Sequence, residues 1–278
     1  MSGAGNLFSV IDNRDGFLTS DVVAGLCPRL IQPTTAHVQT TEGVLVLQQA
    51  NTTGDIVVDF YNPDGSSSMM CGNGGRCAVR FALDIGAIAS TTHHGVLQMA
   101  QRQFPYAVFP DSIELSFAPP HSLIHPIELR TSGRVFQGTL VDIGSDHLVI
   151  NRRSWEETMG SWSVDQFEKI APALRAHASL PRGANVTVYT VLDDGVLELS
   201  TFERGVERIT HACGTGALAT AVVAWMSSSN HRKDWTCIPP SNEALKCRVC
   251  CDKEQHITAL LLNGPARVLS TGFFTYSD

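Results

Sequence analysis

No stretch of this 278-residue chain comes near the roughly 20 consecutive apolar residues that a membrane-crossing helix needs. The longest, Gly216 to Met226, is stopped by Ser227-Ser228-Ser229-Asn230. The opening residues, MSGAGNLFSVID, lack the basic start and long apolar run of a secretory leader. Basic charge is not in excess either. The formal net charge is −7 and the pI about 5.8, which excludes the electrostatic footprint of a nucleic-acid binder. Charged residues are only 17% of the chain and hydrophobic ones 43%, so general disorder is excluded and a buried core is available. No cofactor fingerprint stands out. Together these features predict a cytoplasmic protein that binds neither membrane nor nucleic acid. At 30.0 kDa the chain suits two linked domains better than one core.

The 8 cysteines are unevenly spaced, in a chain too large to need disulfide staples. Free, catalytic or metal-binding thiols are the expectation. Cys247-Arg248-Val249-Cys250-Cys251 with Cys237 has a zinc-like look, yet Leu245 to Cys250 reads as a strand. Neighbouring strand side chains point to opposite faces, so no metal is expected there. His93-His94 and His211 read as exposed loop residues rather than ligands.

Strand signals dominate. Val44–Gln49 and Ile56–Tyr61 flank Asn51-Thr52-Thr53-Gly54, and Val186–Leu192 and Val196–Phe202 flank Asp193-Asp194-Gly195, a hairpin signal. Shorter strands are predicted at Val96–Met99, Ile113–Phe117, Gly138–Ile143, Leu245–Cys250 and His256–Leu262. Helical periodicity marks Asn73–Ile85, with Gly86 as its stop, and Gly216–Met226, apolar over a wide stripe. A weaker helix over Val164–Ala178 is expected to break at Pro172.

The two halves echo each other. Each runs strand, strand, polar loop, Cys-Gly-x-Gly, helix. The distance from the start of the second strand to the cysteine is about 16 residues in one half and about 17 in the other. The echo predicts two domains of one fold, joined by the stretch from Pro119-Pro120 to Pro126.

The first turn of a helix leaves N–H groups unpaired and carries partial positive charge. A cysteine placed there is expected to have a lowered pKa. Flanking glycines let backbone amides approach a bound anion. One such unit suits a reactive thiol with a carboxylate cradle. Two of them, one per domain, point to a cleft with Cys71 on one side and Cys213 on the other. One thiolate removes an α-proton and the opposite thiol returns one, which is how a racemase or epimerase works without pyridoxal.

At these residues the sequence resembles the diaminopimelate epimerase family of cofactor-independent, two-cysteine enzymes. Tyr61-Asn62-Pro63-Asp64-Gly65 with Met70-Cys71-Gly72-Asn73-Gly74-Gly75-Arg76-Cys77 is similar to the family's first signature. Phe202-Glu203-Arg204-Gly205 with Ala212-Cys213-Gly214-Thr215-Gly216-Ala217 is similar to the second. Ser2-Gly3-Ala4-Gly5-Asn6 and Val10-Ile11-Asp12 resemble its N-terminal strand and loop. The resemblance covers nearly the whole chain.

It implies an α+β fold of two pseudo-symmetric domains, each a curved, mostly antiparallel sheet around a central helix. The first would span residues 1–118, with the tail 265–278 returning to it, and the second 119–264. It implies interconversion of LL- and meso-diaminopimelate, feeding lysine and peptidoglycan precursor synthesis, with no cofactor and with domain closure on the substrate. Cys71 and Cys213 would be the acid/base pair, with Glu203 and His147 near the thiols and the reacting amino group. Gly72, Asn73, Gly214 and Thr215 would hold the reacting carboxylate. Asn6, Asn62, Asn185 and Arg204 would hold the distal amino acid end. A homodimer is compatible with all of this.

Some positions depart from the family pattern. Leu7 follows Gly5-Asn6 where Asp is usual, and Ser145-Asp146-His147 replaces Asn-Pro-His. Ile209 stands where a Glu commonly precedes the second cysteine, and Thr40-Thr41-Glu42-Gly43 replaces Gly-x-Asp-Gly. These changes touch substrate recognition and leave the thiols alone. A racemase of another amino acid on the same fold is the nearest alternative. A cysteine hydrolase would need only one of the thiols. A non-catalytic amino acid binding protein would exchange no proton. Phenazine-type isomerases lack the paired thiols.

Overall fold

The computed structural model describes all residues except 34–39, 51–54, 68–69, 121 and 276–278, and of 122–124 the backbone only. The turn residues Asn51-Thr52-Thr53-Gly54 lie outside the described residues. The chain divides into two compact units, Met1–Ser116 with Asn263–Asp278, and Phe117–Leu262.

The first unit contains β1 (Ser2–Gly3), β2 (Asn6–Asp12), α1 (Ser20–Leu30), β3 (Gly43–Gln48), β4 (Ile56–Tyr61), α2 (Gly72–Asp84), β5 (His94–Met99), β6 (Arg102–Val108) and β7 (Ile113–Phe117). Its strands neighbour one another in chain order. β2–β3 and β4–β5 are parallel and the other pairs antiparallel. The parallel pairs are those with a helix between them, α1 and α2, as parallel pairing requires a crossover. α2 packs against β1 through β5, with Ala78, Val79 and Ala82 buried. Gly86, at φ +69°, accepts the left-handed turn after the helix.

The second unit follows the same plan. After the hairpin β8 (Ser122–Thr131) and β9 (Arg134–Asp142) come β10 (Asp146–Asn151), α3 (Arg152–Met159), α4 (Val164–Arg175), β11 (Asn185–Asp193), β12 (Val196–Glu203), β13 (Arg208–Ile209), α5 (Gly214–Ser227), β14 (Asp234–Ile238), β15 (Leu245–Cys251) and β16 (Ile257–Gly264). β10–β11 and β12–β14 are parallel, with helices between them, while β11–β12 and β14–β15 are antiparallel. Thus β2-α1-β3-β4-α2-β5-β6 and β10-α3/α4-β11-β12-α5-β14-β15 are the same arrangement made twice, an α+β fold. α5 is apolar all round and packs against β9, β10, β11, β14 and β15, so nearly every residue of it is buried.

Two expectations need correction. α4 does not break at Pro172 but ends three residues later. Phe167, Ala171 and Leu174 are buried on its inner face, and a proline in the last turn removes only one hydrogen bond. Pro126 is no linker residue: it sits inside β8, paired with Thr139 of β9. β8 ends the strand order of its unit, and an edge strand tolerates the missing N–H.

The second unit's core away from α5 is aromatic. The Phe167 ring stands 5.5 Å from Trp155, edge to face, and 5.4 Å from Trp162. Phe167→Ala should therefore cost about 3–5 kcal/mol, read as an earlier urea unfolding transition of this unit.

Candidate active site

Cys71 and Cys213 occupy the same place in the two units. Each is the N-cap of its central helix with extended backbone, φ −125° and −110°. Each sulfur accepts an N–H from the glycine three residues on: Gly74 N to Cys71 Sγ is 3.4 Å and Gly216 N to Cys213 Sγ is 3.3 Å. The thiol thus takes the position a Ser or Asp oxygen usually fills in a helix cap. The glycine is required by space as well as by the cap. A Cβ on Gly216 would lie 2.7 Å from Thr201 Oγ1 and 3.3 Å from Cys213 Sγ, and one on Gly74 would lie 3.1 Å from Leu45.

The surroundings of the two thiols differ. α2 carries a fully buried Arg76 one turn in. It donates to Gly72 O at 3.3 Å and to Asn73 Oδ1 at 2.7 Å. The corresponding position of α5 is Leu218. Arg76 was not singled out from sequence, though its spacing of three and four residues from Asn73 and Gly72 is the signal that could have found it.

Beside Cys213 stands Glu203, at the end of β12. The short hairpin to β13 brings Thr210 over it, and the Thr210 hydroxyl donates to Glu203 Oε1. Burial raises the Glu203 pKa, against the opposing hydrogen bonds from Thr210 and Cys213. Cys213 is raised well above an ordinary thiol, first by burial and next by the Glu203 carboxylate. Thr215 Oγ1, 3.5 Å from the sulfur, and the Gly216 amide pull the other way and are outweighed. This corrects the expectation of a lowered pKa at Cys213. A helix terminus contributes on the order of 1 kcal/mol, whereas full burial of a charge shifts a pKa by as much as about 3–5 units.

The remaining expected residues fall into two groups. In the first unit, Asn6 is buried on β2, and Asn62 holds its own turn, donating from Nδ2 to Ser66 Oγ at 2.9 Å. Gly72 and Asn73 form the first turn of α2. In the second unit, Gly214 and Thr215 open α5, and His147, Asn185, Glu203 and Arg204 gather at one end of β10-β11-β12. His147 pairs in register with Asn185. Its Nε2 lies 3.0 Å from Ser145 Oγ and 3.4 Å from Asn185 Nδ2. Burial, then the nearby Arg204 charge, hold its pKa down at about 3, so the ring is neutral at physiological pH. Asn185 Oδ1 accepts from Arg204 N at 2.9 Å, and the Arg204 guanidinium donates to the Arg182 carbonyl. Ile209 makes no polar contribution: it pairs with Phe202 and packs against the core.

Elsewhere, Cys247 is buried and Cys250 half-buried on the opposite face of β15. Among the described residues, the one group able to converge on a metal is Asp252, Glu254 and His256, which contains no cysteine. His93, His94 and His211 are exposed.

Residues 1–101 match the family model described as diaminopimelate epimerase. The chain is 32% identical over 290 residues to the diaminopimelate epimerase of Hydrogenobaculum sp., covering 99% of this chain and 96% of that one. It is 31% identical over 283 residues to that of Chlorobaculum tepidum, covering 99% and 100%. Among solved structures, it is similar to a hydroxyproline epimerase from Agrobacterium vitis, with TM-score 0.64, 14% identity and coverage of 95% and 87%. It is equally similar to a phenazine biosynthesis protein of the PhzF family from Enterococcus faecalis, with TM-score 0.64, 14% identity and coverage of 95% and 90%. At such identities the two structures establish the fold.

The environment of Cys213 yields a prediction with a definite sign. The Glu203 anion disfavours the thiolate, so Glu203→Gln removes that repulsion. The pH profile of Cys213 alkylation by iodoacetamide, followed by peptide mass spectrometry in a Cys71→Ala background, should move to lower pH. An unchanged profile would show that burial alone sets the pKa.

Proposed function

The chain belongs to the diaminopimelate epimerase family of isomerases, and from that premise we propose that it interconverts LL- and meso-diaminopimelate by a two-thiol mechanism. One cysteine, as thiolate, takes the proton from the α-carbon. The electron pair left on carbon delocalises into the α-carboxylate. The other cysteine, as thiol, delivers a proton to the opposite face. The thiolate and thiol have then exchanged roles, no electrons have been lost or gained, and no cofactor is needed.

The observation that carries this reading is the duplicated cap: two thiols, each on the first turn of a buried helix, each bonded to the third residue on. First-turn amides have no intrahelical acceptors, and a carboxylate that gains negative charge during proton removal is stabilised there. Gly72, Asn73, Gly214 and Thr215 supply that cradle. Glu203 keeps Cys213 protonated until it is needed, which favours Cys213 as the acid and Cys71 as the base in the free enzyme. His147 is a neutral ring that fixes Asn185. Asn6, Asn62, Asn185 and Arg204 hold the distal amino acid end, and the Arg204 guanidinium suits its carboxylate.

No described helix is long and apolar enough to cross a membrane. The reading puts the protein in the cytoplasm, where lysine and peptidoglycan precursors are made. A homodimer is the assembly we propose for it.

In deuterated water, the reduced protein should exchange the α-proton of LL- or meso-diaminopimelate and equilibrate the two isomers, followed by proton NMR. Cys71→Ala and Cys213→Ala should each abolish detectable isomerisation, a loss of at least about a hundredfold, since general acid–base catalysis contributes about 10²–10⁴-fold per group. Full turnover by either variant would refute the two-thiol scheme. A panel of other amino acids under the same conditions tests whether the substrate is a different one.

A further inference from the structure

Beside the residues assigned to the distal end lies a cluster that the mechanism has not used. Asp142 and Asp146 sit directly opposite each other on β9 and β10. Their side chains are only 10% and 11% exposed. Like charges facing each other across an antiparallel pair repel. Arg182 lies between them. Its Nε and Nη2 grip Asp146 at 2.8 and 2.6 Å, and Nη2 also reaches Asp142 at 2.7 Å. A fork that engages one carboxylate bidentately fixes direction as well as charge.

The contacts then close into a ring. The Arg182 guanidinium holds the Asp146 side chain. The Arg182 carbonyl accepts from the Arg204 guanidinium. Arg204 N donates to Asn185 Oδ1, and Asn185 Nδ2 donates back to the Asp146 carbonyl at 3.2 Å. Two members of the ring are residues assigned to substrate. The other two, Asp146 and Arg182, hold them. A cavity of about 180 Å³ borders Asp142, Asp146, Pro181 and Arg182. Leu180 and Ala184 anchor the two ends of the loop in the core, and on the open side between them the ion pairs of Arg182 are what hold it.

We propose that Arg182 is a positioning residue for recognition of the substrate's distal carboxylate: by clamping Asp146 and Asp142 it fixes the loop carbonyl that orients the Arg204 guanidinium. This rests on the reading above that Arg204 and Asn185 hold that end of diaminopimelate. It also gives Asp146, which stands where the family usually has Pro, a function in this chain.

Arg182 is 65% exposed, so its replacement should leave the protein folded. In Arg182→Gln, KM for diaminopimelate should rise about tenfold while kcat stays within about twofold, because the reacting end is untouched. Asp146→Asn should behave alike, and the double variant no worse than either single one, as expected for members of one unit. Hydrogen–deuterium exchange of segments 181–186 and 203–208 should be faster in Arg182→Gln without any substrate. Arg182→Lys keeps the charge but loses the fork, and should recover KM only in part. Unchanged KM, unchanged exchange, an equal fall in kcat, or full recovery by Lys would each overturn the clamp. If the wild-type protein turns over no diaminopimelate but the two segments still loosen in Arg182→Gln, the substrate assignment fails and the positioning of Arg204 stands.

Discussion

The structure depends on a sulfur atom serving as a helix cap. A thiol at the N-cap must sit where the first-turn amides converge, and it accepts an N–H only if the chain three residues on can come close. Gly74 and Gly216 allow that approach. The sheet of each unit supplies the burial. α2 and α5 are covered by the strands packed around them, so the Cys213 cap is buried and the Cys71 cap half-buried. There a hydrogen bond or charge has more effect than it would in water.

The two caps share backbone geometry but not electrostatics. One helix carries a buried arginine in its first turns, and the other has a carboxylate beside its sulfur. In the proposed reaction the two thiols act as a proton-transfer pair, which needs one partner charged and one neutral at the start. A duplicated fold supplies two equivalent thiols, and the neighbours that differ between the halves break the equivalence. Glu203 does so with support from Thr210, held over it by the turn from β12 into β13. Arg175, paired with Glu207 at 2.6 Å, pins that turn from outside.

The residues proposed for recognition are less regular parts. His147 and Asn185 come from two strands and Arg204 from the turn after a third, and they meet only because β10, β11 and β12 are adjacent in register. Their orientation comes from groups that carry no chemistry of their own, including Ser145, Asp146 and the Arg182 carbonyl. Two of the departures from the family pattern, Ser145 and Asp146, lie here. Ser145 partners Nε2 of the His147 ring, and Asp146 gains Arg182 as its counter-ion.

Much of the fold was legible in the sequence because it rests on local rules. Strand alternation, the Asp-Gly turn, the helical stripes and the repeated Cys-Gly-x-Gly spacing each depend on residues near one another in the chain. The strands β10 and β14 were not predicted, and Pro126 and Pro172 misled, because edge position and inner-face burial decide whether a proline is tolerated. Cys71 and Cys213 could be named from sequence since the cap that places them is complete within four residues. The raised pKa of Cys213, the neutrality of His147 and the clamp on Arg204 could not. Each is set by desolvation and by charges brought together over 10 to 57 positions of chain. Coulomb and desolvation energies depend on distance in space and on excluded water, and only the folded chain fixes those.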